Sequence, residues 1–372
     1  MRPELLTDWI FAMALDITGL LEPIDDSAPC GADLRADYGA QSVYYRLRDA
    51  RSDARAAERA ADADASLEAD VGQHWRNVLQ LSQTALTRTH DIEIAAWLTE
   101  ALLREAGLDG LADGAMLIEG YARLFWDTVL PLPDEDGIET RMAPVAGLNG
   151  VGGDGTLIQP LRKLPLFNGA NGAAVLLFQY QQAEETAGLG DAKRKAARLA
   201  AGVPDFAKLE TEARAAGVAH FTSLAKATDK ALTAWRAMAA TLDAAAGADA
   251  PPTSRVAEVL EQVIVISRRY APNALAESVA AAEVEAMEPE AMTGTPEAGP
   301  SRPAVRTRET ALQQITEIAE FFRRTEPQSP IALTLDEAVR RARLPWPELI
   351  EDILADAAVR QAMLTALGIK SG

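Results

Sequence analysis

The sequence has few of the residues that most often carry chemistry. Its 372 residues include one cysteine, Cys30, and three histidines, His74, His90 and His220, which lie far apart. One cysteine excludes an intrachain disulfide and favours a reducing compartment. The histidines and the cysteine show no spacing typical of a metal site. We therefore expect no disulfide scaffold, no metal and no other cofactor.

Long hydrophobic runs are also missing. The apolar stretch from Trp9 to Leu21 is interrupted by Asp16, and no basic region precedes it. A signal peptide needs that basic region, and a membrane helix needs about 20 consecutive apolar residues. The sequence therefore predicts a cytoplasmic protein that does not insert into a membrane.

Positive charge is scarce. There are 55 acidic residues against 36 lysines and arginines, which gives a formal net charge of -19. Such a chain repels nucleic-acid phosphates and anionic membrane surfaces. We expect no nucleic-acid partner, and the acidic balance favours partners with basic faces.

One glycine-rich segment, Gly150 to Gly155, matches the pattern G-x-G-x-x-G. A dinucleotide site needs a strand before this pattern and a helix after it. Pro144 lies just upstream and Pro160 and Pro165 lie just downstream, where they break such elements. We interpret the segment as a flexible turn.

An acidic segment, Asp134 to Gly137, raises the alternative of a calcium loop. An EF-hand needs oxygen ligands at alternating positions and a glutamate at its twelfth position. Counted from Asp134, that position is Val145. The segment is better interpreted as an acidic, solvated loop that can pair with Arg141.

Sequence patterns of enzymes are missing too. There is no G-x-S-x-G elbow, P-loop or H-E-x-x-H motif. Cys30 lies between Pro29 and Gly31, but the sequence places no histidine beside it to act as a base. A small buried thiol is the simpler interpretation than a nucleophile. We predict a protein without enzymatic activity.

What the sequence does contain is helical periodicity, so the predicted fold class is mainly α. Residues 1–170 form the first predicted domain, with one helix capped by Asp91 and ended by Gly107. The Ala-rich tract from Arg51 to Asp70 is predicted as a solvated, fraying helix rather than a mobile loop. Prolines break the helical pattern after Thr156, where we expect a short β-hairpin or extended flap near 157–180.

Residues 190–271 form a predicted middle domain, a helical hairpin. Two apolar seams with heptad spacing are separated by a break near Gly247; they comprise Phe221, Leu224, Thr228, Ala231, Trp235, Met238 and Leu242, then Val256, Val259, Val263, Ile266 and Tyr270. An antiparallel hairpin follows from this pattern. We favour the interpretation that these seams form an intramolecular core. The alternative is that the hairpin also pairs between subunits.

A flexible linker is predicted at residues 272–305, because Glu, Ala, Pro and Gly dominate there. Residues 306–372 form a small helical domain, in which Thr334 to Glu337 predicts a capping box. A domain of this size has a marginal core, so assembly with copies of itself would stabilise it. The candidate oligomerisation residues are Phe322, Pro330, Arg340, Leu344, Trp346, Leu349, Ile353 and Leu364.

Two sets of residues carry a family resemblance. The N-terminal set is Pro29, Cys30, Gly31, Asp33, Leu34, Trp126, Asp127 and Arg141. With the surrounding segments, it resembles the ImpA-type N-terminal domain of the TssA family of type VI secretion systems. The C-terminal stretch around Glu326-Pro327, Ser329-Pro330 and Arg340-Arg341 is similar to the shorter TssA subclass. One departure is Ile331 to Thr334, where that subclass would have an aromatic residue before the helix.

The resemblance implies a non-enzymatic cytoplasmic assembly factor. Such proteins form ring-like homo-oligomers through the C-terminal domain. They associate with baseplate and membrane-complex proteins and promote polymerisation of the inner tube and the contractile sheath. The alternative is a helical adaptor or regulator that binds partners as a monomer or dimer.

Overall fold

The computed structural model describes residues 15–64, 68–135, 137–275, 308–325 and 330–344, together with Leu349 and Asp352. These residues form thirteen α-helices and one pair of short strands, which confirms the mainly α prediction. The helices are α1 Ile17–Leu20, α2 Val43–Ala63, α3 Glu68–Leu86, α4 Ile92–Phe125, α5 Glu139–Asn149, α6 Ile158–Arg162, α7 Leu177–Ala187, α8 Ala192–Ala200, α9 Phe206–Ala216, α10 Val218–Ala246, α11 Ser254–Tyr270, α12 Arg308–Thr325 and α13 Ile331–Arg343, and the strands are β1 Pro165–Asn168 and β2 Ala174–Leu176.

The described residues fall into two compact units, one within residues 1–288 and one within residues 289–372. In the first unit, α4 packs against both α3 and α10. The division into domains at 1–170, 190–271, 272–305 and 306–372 stays a prediction. The structure adds that helices from the first two of these segments share one hydrophobic core.

The long helix α4 turns back on itself at Gly107. The carboxylate of Asp91 caps its first turn by accepting hydrogen bonds from the backbone N–H groups of Glu93 and Ile94. Gly107 has φ 61° and ψ -137°, which are not helical angles. The backbone N–H of Leu130 donates to the carbonyl oxygen of His90 at 3.1 Å, so the two halves must run side by side. Both predicted signals, the cap and the terminating glycine, are confirmed.

Helix α2 contains most of the Ala-rich tract and is packed on one face. Ala50 and Ala54 are buried, and α2 contacts α3 along its length. The helical prediction is confirmed for residues 51–63, where Ala54 is buried and the other residues are exposed or partly exposed. Small alanine side chains allow a close approach to the neighbouring helix, and the charges lie at its edges. Residues 65–67 lie outside the described residues.

The predicted β-hairpin is present. Strands β1 and β2 are antiparallel, with Phe167 opposite Val175 and Asn168 opposite Ala174. Phe167 and Val175 are buried, so the hairpin closes one side of the core.

The glycine-rich segment is a tight turn fixed against α11. A Cβ atom at Gly155 would lie 2.2 Å from the carbonyl oxygen of Leu148, so only glycine fits. The side-chain oxygen of Asn149 accepts a hydrogen bond from the backbone N–H of Val256 at 3.0 Å. The segment has no preceding strand, which agrees with the interpretation as a turn, while its packing on α11 shows that it is not a loose one.

Helices α10 and α11 form the predicted antiparallel hairpin. Near the connecting loop, the indole N–H of Trp235 donates to the carbonyl oxygen of Thr253 at 2.9 Å. At the other end, the rings of Phe221 and Tyr270 stack with centroids 4.7 Å apart. The seam residues are buried, except for partly buried Leu224. The favoured interpretation, an intramolecular core, is confirmed.

The first unit continues past α11. Residues 272–275 form a turn, and Ala274 and Leu275 are buried. Apolar burial therefore holds these residues to the core, while the linker boundaries at 272 and 305 stay predictions. Residues 276–305 of the predicted linker lie outside the described residues.

The second unit contains helices α12 and α13, which pack against each other. Leu312 and Ala319 of α12 are buried, as are Ala332 and Val339 of α13. The predicted capping box is wrong. Helix α13 begins at Ile331, so Thr334 lies inside it and its hydroxyl donates to the carbonyl oxygen of Pro330.

Candidate functional site at the N-terminal motif

The two halves of the N-terminal motif meet at the ends of α4. The carbonyl oxygen of Cys30 accepts a hydrogen bond from the backbone N–H of His90 at 2.9 Å. The thiol of Cys30 lies 3.2 Å from the hydroxyl of Thr128. The segment from Pro29 therefore contacts the residues before α4 and the residues after it, although the two are far apart in sequence.

Gly31 makes this approach possible. Its φ is +68°, and a Cβ atom there would lie 2.2 Å from the carbonyl oxygen of Arg88. An L-residue at this position would be strained and would also collide with the backbone.

Asp33 and Leu34 set the direction of the next side chain. Asp33 caps a 3-10 turn, Leu34–Ala36, by accepting a hydrogen bond from the backbone N–H of Arg35. Leu34 is buried in the core. This turn directs Arg35 towards the start of α4.

Arg35 forms an ion-pair network at that helix start. Its guanidinium donates to both carboxylate oxygens of buried Asp91, at 2.6 and 3.2 Å, and to Glu93 at 2.6 Å. Burial alone would lower the pKa of Arg35, but its bonds to Asp91 and Glu93 outweigh burial and raise it. The hydroxyl of Tyr44 donates to the same Glu93, and burial raises the pKa of Tyr44 to about 12, with the Glu93 charge adding to the effect.

Arg141 fixes the segment that follows α4. It donates hydrogen bonds to the carbonyl oxygens of Trp126, at 2.7 Å, and Pro131, at 2.9 Å, and lies 5.1 Å from the centre of the Trp126 ring. The predicted pairing of Arg141 with the acidic loop is wrong. The carboxylate of Asp134 instead accepts a hydrogen bond from the hydroxyl of Thr140.

His90 is a buried residue that no sequence pattern singled out. Its ring stacks on that of Tyr121, with centroids 4.7 Å apart, and the tilted ring of Phe125 lies 4.6 Å away. Burial lowers the pKa of His90 to about 4, so the imidazole is neutral at pH 7.

The side chains around the N-terminal motif are arranged to fix the backbone in place rather than to react. Cys30 is buried, as predicted, and burial raises the pKa of its thiol, which is the opposite of what activates a nucleophile. The charged groups of Arg35, Asp91 and Arg141 are bound to one another or to carbonyl oxygens. Across the part of the chain that the structure describes, no group of three metal-ligating side chains occurs. Asp127 is exposed to solvent at the edge of the site.

The predicted oligomerisation residues lie in or beyond the second unit. Pro330 and Arg340 are exposed, while Phe322, Leu344 and Leu349 are partly buried. The remaining three, Trp346, Ile353 and Leu364, lie outside the described residues. Arg340 forms ion pairs with Glu337 and Asp352, at 2.8 and 2.6 Å.

None of the helices that the structure describes is both long enough and apolar enough to cross a bilayer.

Comparison with known proteins gives three matches. The family model described as ImpA, N-terminal, type VI secretion system, matches residues 21–150. A Pseudomonas aeruginosa protein, type VI secretion system component TssA1, is 27% identical over 348 residues, which cover 92% of this chain and 96% of that protein. A solved structure from Burkholderia cenocepacia, the N-terminal domain including the conserved ImpA_N region of the TssA component, is 31% identical with a TM-score of 0.57, covering 70% of this chain and 96% of that one.

Proposed function

Because the chain belongs to the TssA family of type VI secretion system components, we propose that it is a non-enzymatic assembly factor whose second unit joins copies into a ring. The match to the N-terminal domain structure covers 96% of that chain, and the match to the Pseudomonas component covers nearly all of both proteins. Membership of the family therefore applies to most of the chain, including the part that contains the second unit.

The observation that carries the ring proposal is the apolar surface of the second unit. Leu333 on α13 is 72% exposed and Ile318 on α12 is 47% exposed. A pair of helices buries little apolar surface by itself, and a small domain with exposed large side chains gains stability by covering them. A second copy of the same unit is the cover we infer, because head-to-tail contacts between identical units form a ring when the rotation between neighbours closes.

The connection between the units suits such an arrangement. Thirty-two residues, 276–307, separate the last described residue of the first unit from α12. As the flexible linker predicted from its composition, this segment would reach about 30 Å on average. A ring of second units would then display several first units around it and raise their local concentration for shared partners.

The partners we propose are other proteins of the secretion machine in the cytoplasm. They are baseplate and membrane-complex proteins for docking, and inner-tube and sheath proteins for polymerisation. The geometry of the N-terminal motif supports a binding role, because the hydrogen bonds of Arg35 and Arg141 stabilise the fold around it and its thiol is buried. A helical adaptor that acts as a monomer or dimer is the alternative.

Mass measurement separates the two proposals. We expect the full chain to give a discrete high-order mass by light scattering coupled to gel filtration, across a range of protein concentrations. The same chain ended after residue 288 should be monomeric, with its helical circular dichroism retained. A full chain that stays monomeric or dimeric at all concentrations would overturn the ring and favour the adaptor.

Partner binding is tested with the same two proteins. Each is immobilised and exposed separately to purified baseplate, inner-tube and sheath proteins. Retention of a tail protein by the full chain, and weaker retention by the monomeric first unit, is the expected result. If neither protein retains any of these, the proposed assembly role is wrong.

A further inference from the structure

Four arginines form a cationic surface on the first unit, which we call the arginine face. Arg51, Arg55 and Arg59 follow one another at intervals of four residues on α2, so they lie along one side of that helix. Arg104 of α4 lies beside them. Like charges at this spacing destabilise a helix, and this surface stands out on a chain with a net charge of -19.

Two of the four arginines are fixed in place. Arg51 donates to both carboxylate oxygens of buried Glu100, at 2.6 and 2.8 Å. Arg104 donates to both carboxylate oxygens of Glu58, at 2.9 and 2.8 Å. Each guanidinium also lies over a tryptophan ring, which limits its movement further. Their positions are therefore defined before any partner arrives.

The other two arginines have no such carboxylate. Among the residues that the structure describes, Arg55 and Arg59 make no ion pair and no side-chain hydrogen bond. Arg55 is partly buried, and burial, followed by the charge of Arg51, lowers its pKa, with Glu100 opposing the effect. A partly desolvated cation among cations is unfavourable unless an added anion compensates it.

A groove adjoins the arginine face. It has a volume of about 630 Å³, and two ion pairs line it, Arg104 with Glu58 and Lys163 with Asp62. Val71 and Leu103 supply apolar surface to its wall. The uncompensated positive charge therefore lies beside the groove, on Arg55 and Arg59, and with the apolar wall it suits a polypeptide segment that carries carboxylates and small apolar side chains.

We propose that the arginine face and its groove bind the acidic segment of the same chain, residues 277–288. This segment contains four glutamates and no lysine or arginine, so its charge is complementary to the arginine face. Val279, Val284 and Met287 are spaced among the glutamates and match the apolar wall. This inference does not depend on ring formation.

The position of the segment in the chain supports the same occupant. It begins two residues after Leu275, the last described residue of the first unit, which is buried in its core. A chain of about 12 residues with coil statistics spans roughly 19 Å on average. Its covalent attachment to the first unit therefore raises the effective concentration of the segment for the arginine face.

Distance measurement between two spin labels tests the proposal in the full chain. The labels are placed through Ala56→Cys on α2 and Ala286→Cys in the segment, since Cys30 is buried and shielded from the reagent. Samples are diluted with unlabelled protein so that distances within one chain are measured. We expect one narrow short-distance maximum at low salt, and a broad distribution at roughly 0.5 M salt, where charges are screened.

Two matched double variants give the control. Arg55→Gln with Arg59→Gln should broaden the distribution, while Lys193→Gln with Arg194→Gln, which removes the same charge from exposed α8, should leave it narrow. Replacing the four glutamates of the segment by glutamine gives a second test that does not alter α2. A broad distribution in the unsubstituted chain, a maximum lost on spin dilution, or an equal effect of both double variants would overturn the proposal.

Discussion

Arg35 and Asp91 lie 56 residues apart in sequence and are joined by two hydrogen bonds between guanidinium and carboxylate. Asp91 is almost completely buried and at the same time caps α4. Arg35 thus neutralises the buried charge that the helix needs at its first turn. The N-terminal motif therefore has a positioning role. Asp33 and Leu34 place the Arg35 side chain at the start of α4, and Arg35 stabilises that helix.

Replacing Arg35 should therefore destabilise the first unit. We expect Arg35→Met to lower the free energy of unfolding by about 3–5 kcal/mol, because it leaves the buried carboxylate of Asp91 without its cation. Urea unfolding followed by circular dichroism measures the loss. Arg48→Met, which removes an exposed ion pair to Asp49, is the control and should change stability by less than about 1 kcal/mol. Equal losses in the two variants would contradict this role.

Local signals in the sequence predicted local structure well. Asp91 was expected to cap a helix and Gly107 to end it, and both do so, because capping and positive φ depend on residues close in sequence. The heptad seams of α10 and α11 likewise predicted which side chains are buried. The contact between Arg35 and Asp91 left no such signal, since it joins residues that are 56 positions apart in sequence.

Where sequence interpretation was wrong, a side chain had more than one partner within reach. Thr334 fits a capping box, but a threonine hydroxyl inside a helix bonds the carbonyl four residues earlier equally well, and it bonds Pro330. Arg141 lies near an acidic loop in sequence, yet the carbonyl oxygens of Trp126 and Pro131 hold it. Burial at the end of α4 decided the partner, and burial is not visible in the local pattern.

Gly31→Ala should be more harmful than the same substitution at a glycine with positive φ and open space around it. The new Cβ would collide with the carbonyl oxygen of Arg88, in addition to the strain of a left-handed backbone. We expect a loss of at least about 3 kcal/mol in urea unfolding. Gly152→Ala, at φ +70° with nothing near the added atom, should cost only about 1–2 kcal/mol. A smaller loss at Gly31 than at Gly152 would show that the motif tolerates movement there.

His90 should make the first unit sensitive to mild acid. Its pKa is about 4 in the folded protein and about 6.5 in an unfolded chain, so between these values the unfolded chain binds a proton that the folded one does not. Above about pH 6.5 the free energy of unfolding is unaffected by this group. As pH drops from there towards 4, the free energy of unfolding falls by about 3 kcal/mol in total. Urea unfolding at several pH values measures this slope.

Two variants isolate the contribution of the imidazole. His90→Gln removes the titrating group and should flatten the fall in stability between pH 6.5 and 4, whatever its effect at pH 7. Tyr121→Phe keeps a ring stacked against His90 and should retain the slope. An unchanged slope in His90→Gln would assign the acid sensitivity to other groups.

Substitution of the exposed apolar residues of the second unit should weaken self-association. If Leu333 and Ile318 are covered by a neighbouring copy, each buries apolar surface worth about 1.5–3 kcal/mol. We expect Leu333→Ser with Ile318→Ser to raise the concentration for half-dissociation at least tenfold in sedimentation velocity, without loss of helical signal. Ala338→Ser, at an exposed position of the same helix α13, should leave the assembly intact. If the double variant assembles like the unsubstituted chain, the contact between copies must lie on another surface, since two exposed large side chains inside an interface cannot become polar without weakening it.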